Sequence, residues 1–376
     1  MKNNLLSEFY LAKDIIYLNH AAVSPWPKRT TDAVVQFAQQ NMVTGSKSYL
    51  DWLQKEKTLK QQLQNLINAP SVDDIALVKN TSEALSFVAY GLNWKKGENI
   101  VSSHVEFPSN RIPWQSLNNQ GVEFREADLT NSSSPEQALF DKVDRNTRLL
   151  TISSIQFASG LRMDLRRIGE FCKKNNILFC IDAIQSVGAV EFDVQEYQAD
   201  FVMADGHKWM LGPEGLGVFY TTPKSRDQLK LTQFGWHMME DTHNYENRPW
   251  QIHPTAQRFE CGSPNMLGIH ALSASLSLLL ETGMAEVEQK ILANIAYLIE
   301  SISRSNQLKL LSSTEEKTRS GIVLFQHQNR TNAALYKQLQ SNDVMCALRG
   351  GGIRFSPHFY NSFDELGQAL AISQYR

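Results

Sequence analysis

The chain has 376 residues, 42% of them hydrophobic and 20% charged, with a formal net charge of -2 at pH 7. This length predicts roughly two domains, and the near-neutral charge argues against nucleic acid or an anionic membrane as a partner. The cysteines have no CxxC spacing, which argues against a disulfide framework or a structural zinc site and favours a reducing cytoplasm. Residues 1–20 mix polar with apolar side chains, so we predict neither a signal peptide nor a membrane span there.

Short apolar segments rich in Val, Ile and Phe alternate with amphipathic stretches along the first two thirds of the chain. This alternation is typical of βα units around a mostly parallel sheet. The predicted strands cover residues 74–78, 99–103, 122–127, 148–155, 176–182, 201–204 and 216–221. The predicted helices cover residues 30–40, 50–67, 81–92, 110–117 and 165–174.

After about residue 249 the pattern changes. Two long helical stretches, at 266–281 and 284–302, are followed by short strands at 308–311 and 321–326. We therefore predict an α/β fold with a large domain at 18–248 and a smaller α+β domain at 249–376. Residues 1–17 are predicted to form an N-terminal segment that packs near the small domain.

A strand followed by a hydroxyl-rich helix start is predicted at residues 79–83, Lys-Asn-Thr-Ser-Glu. Ligands of open α/β sheets bind at the carboxyl ends of strands, and the free N–H groups of a helix N-terminus suit a phosphate. The same residues also suit simple capping, with Asn80 or Thr81 as the cap and Glu83 completing a capping box. Both roles can coexist.

Lys208 lies in the segment ADGHKWMLGPEGLG, between a predicted strand and a glycine-rich turn. Asp182 ends the apolar strand at 176–182, and Gln185 follows in a predicted helix start. An anion beside a pyridine nitrogen keeps the ring protonated, and a lysine amine forms a Schiff base with an aldehyde. Asp182 alone could simply cap a helix, but the order of the three residues favours pyridoxal 5'-phosphate as the cofactor.

These motifs resemble the class V aminotransferase group of fold-type I pyridoxal-phosphate enzymes. The group includes cysteine desulfurases, selenocysteine lyases, isopenicillin N epimerase and kynureninase. The resemblance runs from YLNHAA at 17–22, through NTSEAL, VEFPSNRIPWQ, CIDAIQSVGAV, DGHKWMLGPEGLG and RFECGSPN, to IRFSPHFYN at 353–361. It implies the fold-type I architecture, with a mostly parallel seven-stranded sheet in the large domain.

The resemblance also implies the cofactor contacts. Lys208 is expected to be the Schiff-base lysine, Asp182 the partner of the pyridinium nitrogen, and Gln185 the donor to the phenolic oxygen. The phosphate is expected to be held by three residues: Thr81, Ser82 and His207.

Two positions depart from the pattern of desulfurases, and a third region implies a partner. Phe107 is expected to stack on the ring where desulfurases usually have a histidine. Asp205 stands where they usually have a phosphate-binding serine. A carboxylate beside a phosphate is unfavourable unless a cation or proton intervenes, so the alternative to a phosphate contact is that Asp205 orients His207. Gly262 and Ser263 resemble the pair that reaches the phosphate of the neighbouring subunit, so we expect a homodimer with shared active sites.

The substrate is expected to be an amino acid or a close derivative of one. Arg354 matches the arginine that binds the substrate α-carboxylate, for which its bidentate fork is suited. Arg349 is a candidate for a second carboxylate or side-chain contact, with a surface arginine as the alternative. His20 and Trp236 are placed near the substrate entrance by the resemblance, and for each the alternative is a capping or core role.

The residues between the two arginines bear on the reaction. Desulfurases carry a nucleophilic cysteine on a mobile loop in this region. Here only residues 350–353 separate Arg349 from Arg354, too few for such a loop. Cys346 lies on a predicted strand, where a cysteine ordinarily packs in the core. Persulfide-forming desulfurase activity is therefore not expected. We predict a carbon–sulfur or carbon–selenium lyase, with aminotransferase or epimerase-like activity as alternatives.

Two other classes of protein are weighed against an enzyme of this kind. A non-catalytic binding module is disfavoured because both Lys208 and Asp182 are present. A dinucleotide-binding oxidoreductase is disfavoured because no GxGxxG motif follows any predicted strand.

Overall fold

The computed structural model describes residues 6–129, 134–242, 244, 246 and 249–374. Its strands are β1 (Ile16–Tyr17), β2 (Ile75–Val78), β3 (Asn99–Ser103), β4 (Glu123–Ala127), β5 (Thr147–Ser153), β6 (Leu178–Asp182), β7 (Phe201–Asp205), β8 (Gly217–Thr221), β9 (Leu308–Leu310), β10 (Val323–His327), β11 (Val344–Met345), β12 (Ala347–Arg349) and β13 (Gly352–Phe355). Its α-helices are α1 (Lys28–Thr44), α2 (Tyr49–Leu66), α3 (Thr81–Gly91), α4 (Ile112–Gln115), α5 (Pro135–Phe140), α6 (Leu165–Lys174), α7 (Pro223–Arg226), α8 (Met266–Thr282), α9 (Met284–Ser303), α10 (Asn332–Ser341) and α11 (Phe363–Gln374).

The large sheet has seven strands in the order β2-β8-β7-β6-β5-β3-β4. All neighbouring pairs are parallel except those of β8, which runs antiparallel to both β2 and β7. The strands are buried on both faces: Ile100 and Val101 are consecutive in β3, fully buried, and belong to different hydrophobic clusters. The mostly parallel seven-stranded α/β fold that the sequence predicts is therefore confirmed.

Two predicted helices differ from the structure. The helix predicted at 110–117 is only the four-residue α4 between two 3-10 turns, since Pro113 lacks the N–H that would continue a longer helix. The helix start predicted around Gln185 is wrong, because residues 184–186 and 188–189 form turns and Val187 forms a β-bridge with Val190. Gly188 has φ +93°, and a Cβ there would lie 2.4 Å from the carbonyl oxygen of Trp209, so the chain turns where an L side chain would not fit.

The C-terminal part contains a second, antiparallel sheet in the order β12-β13-β10-β9. The N-terminal segment reaches this part, because β1 pairs in parallel with β11. Cys346 lies between β11 and β12 and not on a strand as predicted. Helix α8 packs against α1 and α2. The division of the chain at residues 248 and 249 stays a prediction.

Within the described ranges no single helix is long and apolar enough to cross a membrane. Only α8 and α9 taken together have the length and composition, and the angle between them is 83°.

Candidate active site

Lys208 lies in a cavity of about 370 Å³ at the carboxyl ends of the parallel strands. Asp182 is the last residue of β6, Asp205 the last residue of β7, and Thr81 begins the helix after β2. The cavity brings together these predicted site residues: Thr81, Ser82, Phe107, Asp182, Gln185, Asp205, His207, Lys208, Arg349 and Arg354. Segments that are far apart in sequence therefore meet where open α/β sheets bind ligands.

The amine of Lys208 loses its proton more readily than that of a surface lysine. Its side chain is buried, and burial lowers the pKa of the amine to about 8. The negative charge of Asp182 opposes this lowering, and the positive charge of Arg354 adds to it. The Nζ atom lies 5.6 Å from the centroid of the Phe107 ring. A larger neutral fraction near pH 7 makes this amine a better nucleophile than a surface lysine.

Asp182 is a buried acid that forms no salt bridge within the described ranges, although the positive charge of Lys208 acts on it from across the cavity. Burial raises its pKa to about 7, and the negative charge of Glu106 adds to the effect. Its Oδ1 accepts a hydrogen bond from the backbone N–H of Ile184 at 3.1 Å. A protonated ring nitrogen beside it would supply the missing positive partner, so Asp182 fits a pyridine cofactor.

The amide of Gln185 is held in one orientation. Its Oε1 accepts a hydrogen bond from the Trp209 indole N–H at 2.8 Å, and its Nε2 donates to the Ala21 carbonyl at 3.1 Å. The two contacts define which atom of the Gln185 side-chain amide is the oxygen and which is the nitrogen. They leave a second N–H of Nε2 that no residue in the described part of the chain accepts, which suits donation to a cofactor oxygen.

Thr81 offers a free hydroxyl at the start of α3. The cap is provided by other residues: Asn80 Oδ1 accepts from the Glu83 N–H at 2.9 Å, and Glu83 Oε2 accepts from the Lys79 N–H at 2.7 Å. Thr81 is 4% exposed, and its Oγ1 has no partner among the described residues. A buried unpaired hydroxyl at a helix N-terminus fits a phosphate, so capping and ligand binding are divided between neighbours.

The rest of the phosphate corner is formed by Ser82 and His207. Ser82 Oγ donates to Ser109 Oγ at 2.9 Å. His207 Nδ1 lies 3.2 Å from Asp205 Oδ1, and both side chains are largely buried. Neither of these two atoms has a hydrogen-bond partner among the described residues, so the alternative in which Asp205 orients the histidine stays a prediction. The imidazole then stands between the carboxylate and the space where the phosphate would lie.

Phe107 forms one wall of the cavity, and a network beneath it was missed by the sequence analysis. The Phe107 ring packs edge-on against Phe157, with centroids 5.2 Å apart. The buried carboxylate of the preceding residue, Glu106, accepts hydrogen bonds from five donors in four residues: Ser153 N (3.0 Å), Ser153 Oγ (2.5 Å), Gln156 Nε2 (2.8 Å), Asn110 Nδ2 (2.9 Å) and Ser103 Oγ (3.3 Å). The network fixes the loop that carries Phe107 to the ends of β3 and β5.

Arg354 is a buried guanidinium without a carboxylate partner among the described residues. Nη1 donates to the Phe157 carbonyl at 2.6 Å, Nη2 contacts Asn19 Oδ1 at 3.5 Å, and Nε has no partner. Burial and the charge of Arg349 lower the pKa of Arg354 to about 10. A buried charge with only neutral acceptors is costly, so this position fits a bound carboxylate. Arg349 is exposed at the end of β12 and lines the same cavity.

The remaining predicted site residues lie elsewhere. His20 is fully buried, with Nδ1 donating to the Ser356 carbonyl at 2.9 Å and Nε2 accepting from the Tyr360 hydroxyl at 2.6 Å. This corrects its predicted position at the substrate entrance to the alternative, a core role. Trp236 does not line the Lys208 cavity. Gly262 and Ser263 line a separate cavity of about 300 Å³, and their contact with a neighbouring subunit stays a prediction.

A larger cleft, of about 470 Å³, lies between α6 and residues 315–318. Its arginines are paired: Arg162 with Glu288 at 2.7 Å, Arg167 with Glu136 at 3.7 Å, and Arg166 with Glu196. Since these cations are already neutralised, the cleft offers less for an anionic ligand than the smaller cavity around Lys208.

One cluster in the described ranges has the spacing of metal ligands. Atoms of Glu56, His237 and Glu260 lie within 4.8 Å of one another. The ammonium of Lys60, however, lies 3.2 Å from Glu56 and 2.8 Å from Glu260. Because Lys60 already neutralises the carboxylates, we interpret the group as a buried ion cluster that joins α2 to the segment before Gly262.

All four cysteines are free and lie in the described ranges. Cys172, Cys180 and Cys346 are buried, and burial raises the pKa of each thiol, to about 12 for Cys346. Cys261 is partly exposed and lines the other cavity with Gly262. None of the four lines the cavity of Lys208.

Comparison with known proteins shows the family. A family model described as Aminotransferase class-V matches residues 16–367. A probable cysteine desulfurase from Methanothermobacter thermautotrophicus is 30% identical, covering 96% of this chain and 95% of that protein. A probable cysteine desulfurase from Pyrococcus abyssi is 28% identical, covering 96% of this chain and 94% of that protein.

Two solved structures have the same fold. The cystine C-S lyase C-DES, in complex with its reaction product cysteine persulfide, superimposes with a TM-score of 0.90 at 20% identity, over 96% of this chain and 98% of that one. The apo cysteine desulfurase from Thermococcus onnurineus NA1 superimposes with a TM-score of 0.88 at 22% identity, over 99% and 97%.

Proposed function

The chain belongs to the aminotransferase class-V family, and on that premise we propose that it is a carbon–sulfur lyase that releases sulfur as a small molecule. The family and its relatives indicate a pyridoxal-phosphate enzyme that acts as a lyase or transaminase. One observation carries the finer proposal: no cysteine of the chain lines the cavity of Lys208. The departing sulfur therefore meets no thiol of the same subunit that would accept it.

Pyridoxal 5'-phosphate, when bound, supplies an electron sink for negative charge at the α-carbon of an amino acid. Lys208 would hold it covalently through its amine, with Asp182 at the ring nitrogen and Gln185 at the phenolic oxygen. Thr81, Ser82 and His207 would hold the phosphate. Among the described residues, the Thr81 hydroxyl has no hydrogen-bond partner and Asp182 forms no salt bridge, and both observations support this assignment.

Arg354 binds the substrate α-carboxylate in this proposal. Its guanidinium is buried, and among the described residues it contacts only neutral acceptors and its Nε has no partner. A carboxylate would therefore satisfy both its charge and its geometry. The bound carboxylate orients the α-carbon toward the amine of Lys208 across the same cavity. Arg349 is placed to contact a second polar or acidic group on the substrate.

Lys208 moves the proton in both halves of the reaction. The substrate amine would replace Lys208 on the cofactor, and the freed Lys208 amine, whose pKa burial lowers to about 8, would take the proton from the α-carbon as general base. The bond between the β-carbon and sulfur would then break, the sulfur would keep the electron pair, and the lysine ammonium would return a proton to it. The three-carbon enamine that remains would take up water and give pyruvate and ammonia. Phe107 stands where desulfurases usually have a histidine and has no proton to give, so this second step also falls to Lys208.

The substrate in this proposal is an α-amino acid with sulfur on its β-carbon. Similarity to cysteine desulfurases points to cysteine, and similarity to the cystine C-S lyase C-DES points to cystine. We also propose a homodimer in which Gly262 and Ser263 complete the partner's phosphate site, and a location in the cytoplasm.

The test separates products as well as rates. The purified protein is incubated with L-cysteine, L-cystine, and L-alanine with a keto acid, and pyruvate, sulfide, persulfide and new amino acid are measured. We expect pyruvate and a small-molecule sulfur product, abolished in Lys208→Ala and retained in Cys261→Ser and Cys346→Ala. Amino-group transfer without β-elimination would identify a transaminase instead. Loss of turnover in Cys261→Ser together with a persulfide on Cys261 would contradict release of sulfur as a small molecule.

A further inference from the structure

Two residues from opposite ends of the chain hold the main chain of the Lys208 loop. Ser24 Oγ donates a hydrogen bond to the Lys208 carbonyl at 2.5 Å. His358 Nε2 contacts the carbonyl of the next residue, Trp209, at 3.1 Å. Two successive carbonyls beside the reactive amine are therefore bound by side chains of other segments.

The hydrogen bonds of His358 define its tautomer. Nδ1 accepts from the backbone N–H of Phe359 at 2.9 Å, so the ring proton is on Nε2, which donates to the Trp209 carbonyl. The ring is fully buried, and burial lowers its pKa to about 4. His358 is therefore a neutral donor at physiological pH.

The main chain around His358 is also fixed. Its carbonyl accepts from Asn294 Nδ2 at 3.1 Å, and its N–H donates to Asn361 Oδ1 at 2.8 Å. The ring contacts those of His20 and Trp209, with centroids 5.2 Å and 5.5 Å away. A side chain held this firmly can impose a position on the loop that it contacts.

The same segment carries the arginine of the cavity. Arg354 precedes His358 by four residues, and Ser356 lies between them. Ser356 Oγ accepts from the Ala21 N–H at 3.0 Å, and the Ala21 carbonyl accepts from Gln185 Nε2 at 3.1 Å. Hydrogen bonds through residues 18–24 thus connect the arginine segment to the cofactor-facing amide, while His358 connects it to the lysine loop.

We propose that His358 is a positioning residue that sets the place of the Lys208 amine relative to the cofactor ring and to Arg354. It acts through the main chain at Trp209 and touches neither the cofactor nor the substrate. The inference rests on the proposed function, because it assigns Lys208 to the cofactor.

The experiment replaces the donor and keeps the packing. His358→Phe retains a ring without an N–H, and His358→Gln retains a side-chain donor. His270→Phe is the matched control, because His270 also bonds a backbone carbonyl, that of Met266 at 2.8 Å on α8, and does not line the Lys208 cavity. The readouts are the dissociation constant of pyridoxal phosphate, the pH at which the absorbance of the bound cofactor titrates, and the melting temperature.

We expect His358→Phe to bind the cofactor about tenfold more weakly and to shift the absorbance titration, because a buried carbonyl loses its donor. In His358→Gln the dissociation constant and the titration pH are expected to lie closer to wild type than in His358→Phe. His270→Phe is expected to leave both values unchanged. If His358→Phe does not fold, His358→Leu gives the same comparison with a smaller apolar side chain.

Two results overturn the proposal and are distinguishable. If the His358 variants lower the melting temperature but keep the wild-type dissociation constant and titration, His358 has only a structural role. If the wild-type protein shows no cofactor absorbance that Lys208→Ala removes, the proposed function fails, and this inference with it.

Discussion

Lys208 and Arg354 line one cavity from two different sheets, and the charge of Arg354 contributes to the lowered pKa of Lys208. The lysine follows β7 of the large sheet, and the arginine lies on β13 of the small one. A carboxylate bound to Arg354 would neutralise that charge. Substrate binding and the proton affinity of the amine are therefore coupled electrostatically.

Replacement of Arg354 tests this coupling. Arg354→Gln is expected to lower kcat/KM about a hundredfold, because a buried bidentate contact to the carboxylate is lost. It should also raise the pKa of Lys208 in cofactor-free protein, since a nearby positive charge is removed. Steady-state kinetics and pH-dependent labelling of the amine, read by mass spectrometry, measure the two effects.

The matched control for that experiment is Arg349→Gln, which removes an exposed arginine from the same cavity. A smaller loss is expected, since Arg349 is solvated. Equal losses in the two variants would contradict the assignment of the α-carboxylate to Arg354 alone.

Thr81→Val is expected to separate cofactor binding from stability. The Thr81 hydroxyl has no partner among the described residues, so its removal should leave the melting temperature of the cofactor-free protein unchanged. The dissociation constant of pyridoxal phosphate should rise about five- to tenfold, because one hydrogen bond to the phosphate is lost. Thermal denaturation and a cofactor titration give the two values.

Thr30→Val provides the contrast. Thr30 is also buried, but its Oγ1 is hydrogen bonded to Ser275 Oγ at 2.6 Å. Thr30→Val should therefore lower the stability of the protein, because this hydrogen bond is lost, and should leave the cofactor affinity unchanged. A stability loss in Thr81→Val as large as that in Thr30→Val would show that the Thr81 hydroxyl has a partner within the protein.

Asp182→Asn is expected to change how the stability of the cofactor-free protein depends on pH. The pKa of Asp182 is raised from 3.8 to about 7, so between these values the folded state binds more protons than the unfolded state. The stability contributed by the protonated acid is present below pH 4 and is lost as the pH rises through about 7. Asparagine does not ionise, so the stability of the Asp182→Asn variant lacks this fall with rising pH.

The measurement is urea unfolding of cofactor-free wild type and Asp182→Asn at pH 5 and pH 8. The variant should gain stability relative to wild type at pH 8, while its turnover falls because the ring nitrogen loses its anionic partner. An equal difference in stability at the two pH values would mean that Asp182 is ionised throughout that range.

Glu106→Gln should destabilise the protein by about 3 kcal/mol. The carboxylate of Glu106 accepts from five donors, and an amide would turn an N–H toward groups that donate. Urea unfolding measures the loss. Glu126→Gln, an exposed position on β4, is the control and should change stability by less than about 0.5 kcal/mol.

Much of the fold was predictable because local patterns and tertiary contacts agree. Strand β3 and helix α6 have the predicted bounds of 99–103 and 165–174. Helix α6 begins after Asp164, whose Oδ1 accepts from the Arg167 N–H at 3.0 Å, and this cap is visible in the sequence. The cavity was predictable in the same way, since its residues follow the ends of strands.

The errors involve contacts between distant segments. The turn after Asp182 depends on Gly188 lying against the Trp209 carbonyl, and the burial of His20 depends on Ser356 and Tyr360. The donors to Glu106 include residues 47 and 50 positions away. No local periodicity encodes such pairings, so only the folded chain reveals them.

The attachment of the lysine loop to His358 has a consequence for synthesis. The chain emerges from its N-terminus, and domains generally fold as they appear. The seven strands of the large sheet are complete by Thr221, whereas the donor to the Trp209 carbonyl arrives 137 residues later. A nascent chain can therefore form the sheet whose carboxyl edge carries the cavity long before the lysine loop is secured, and the finished active site belongs to the last stage of folding.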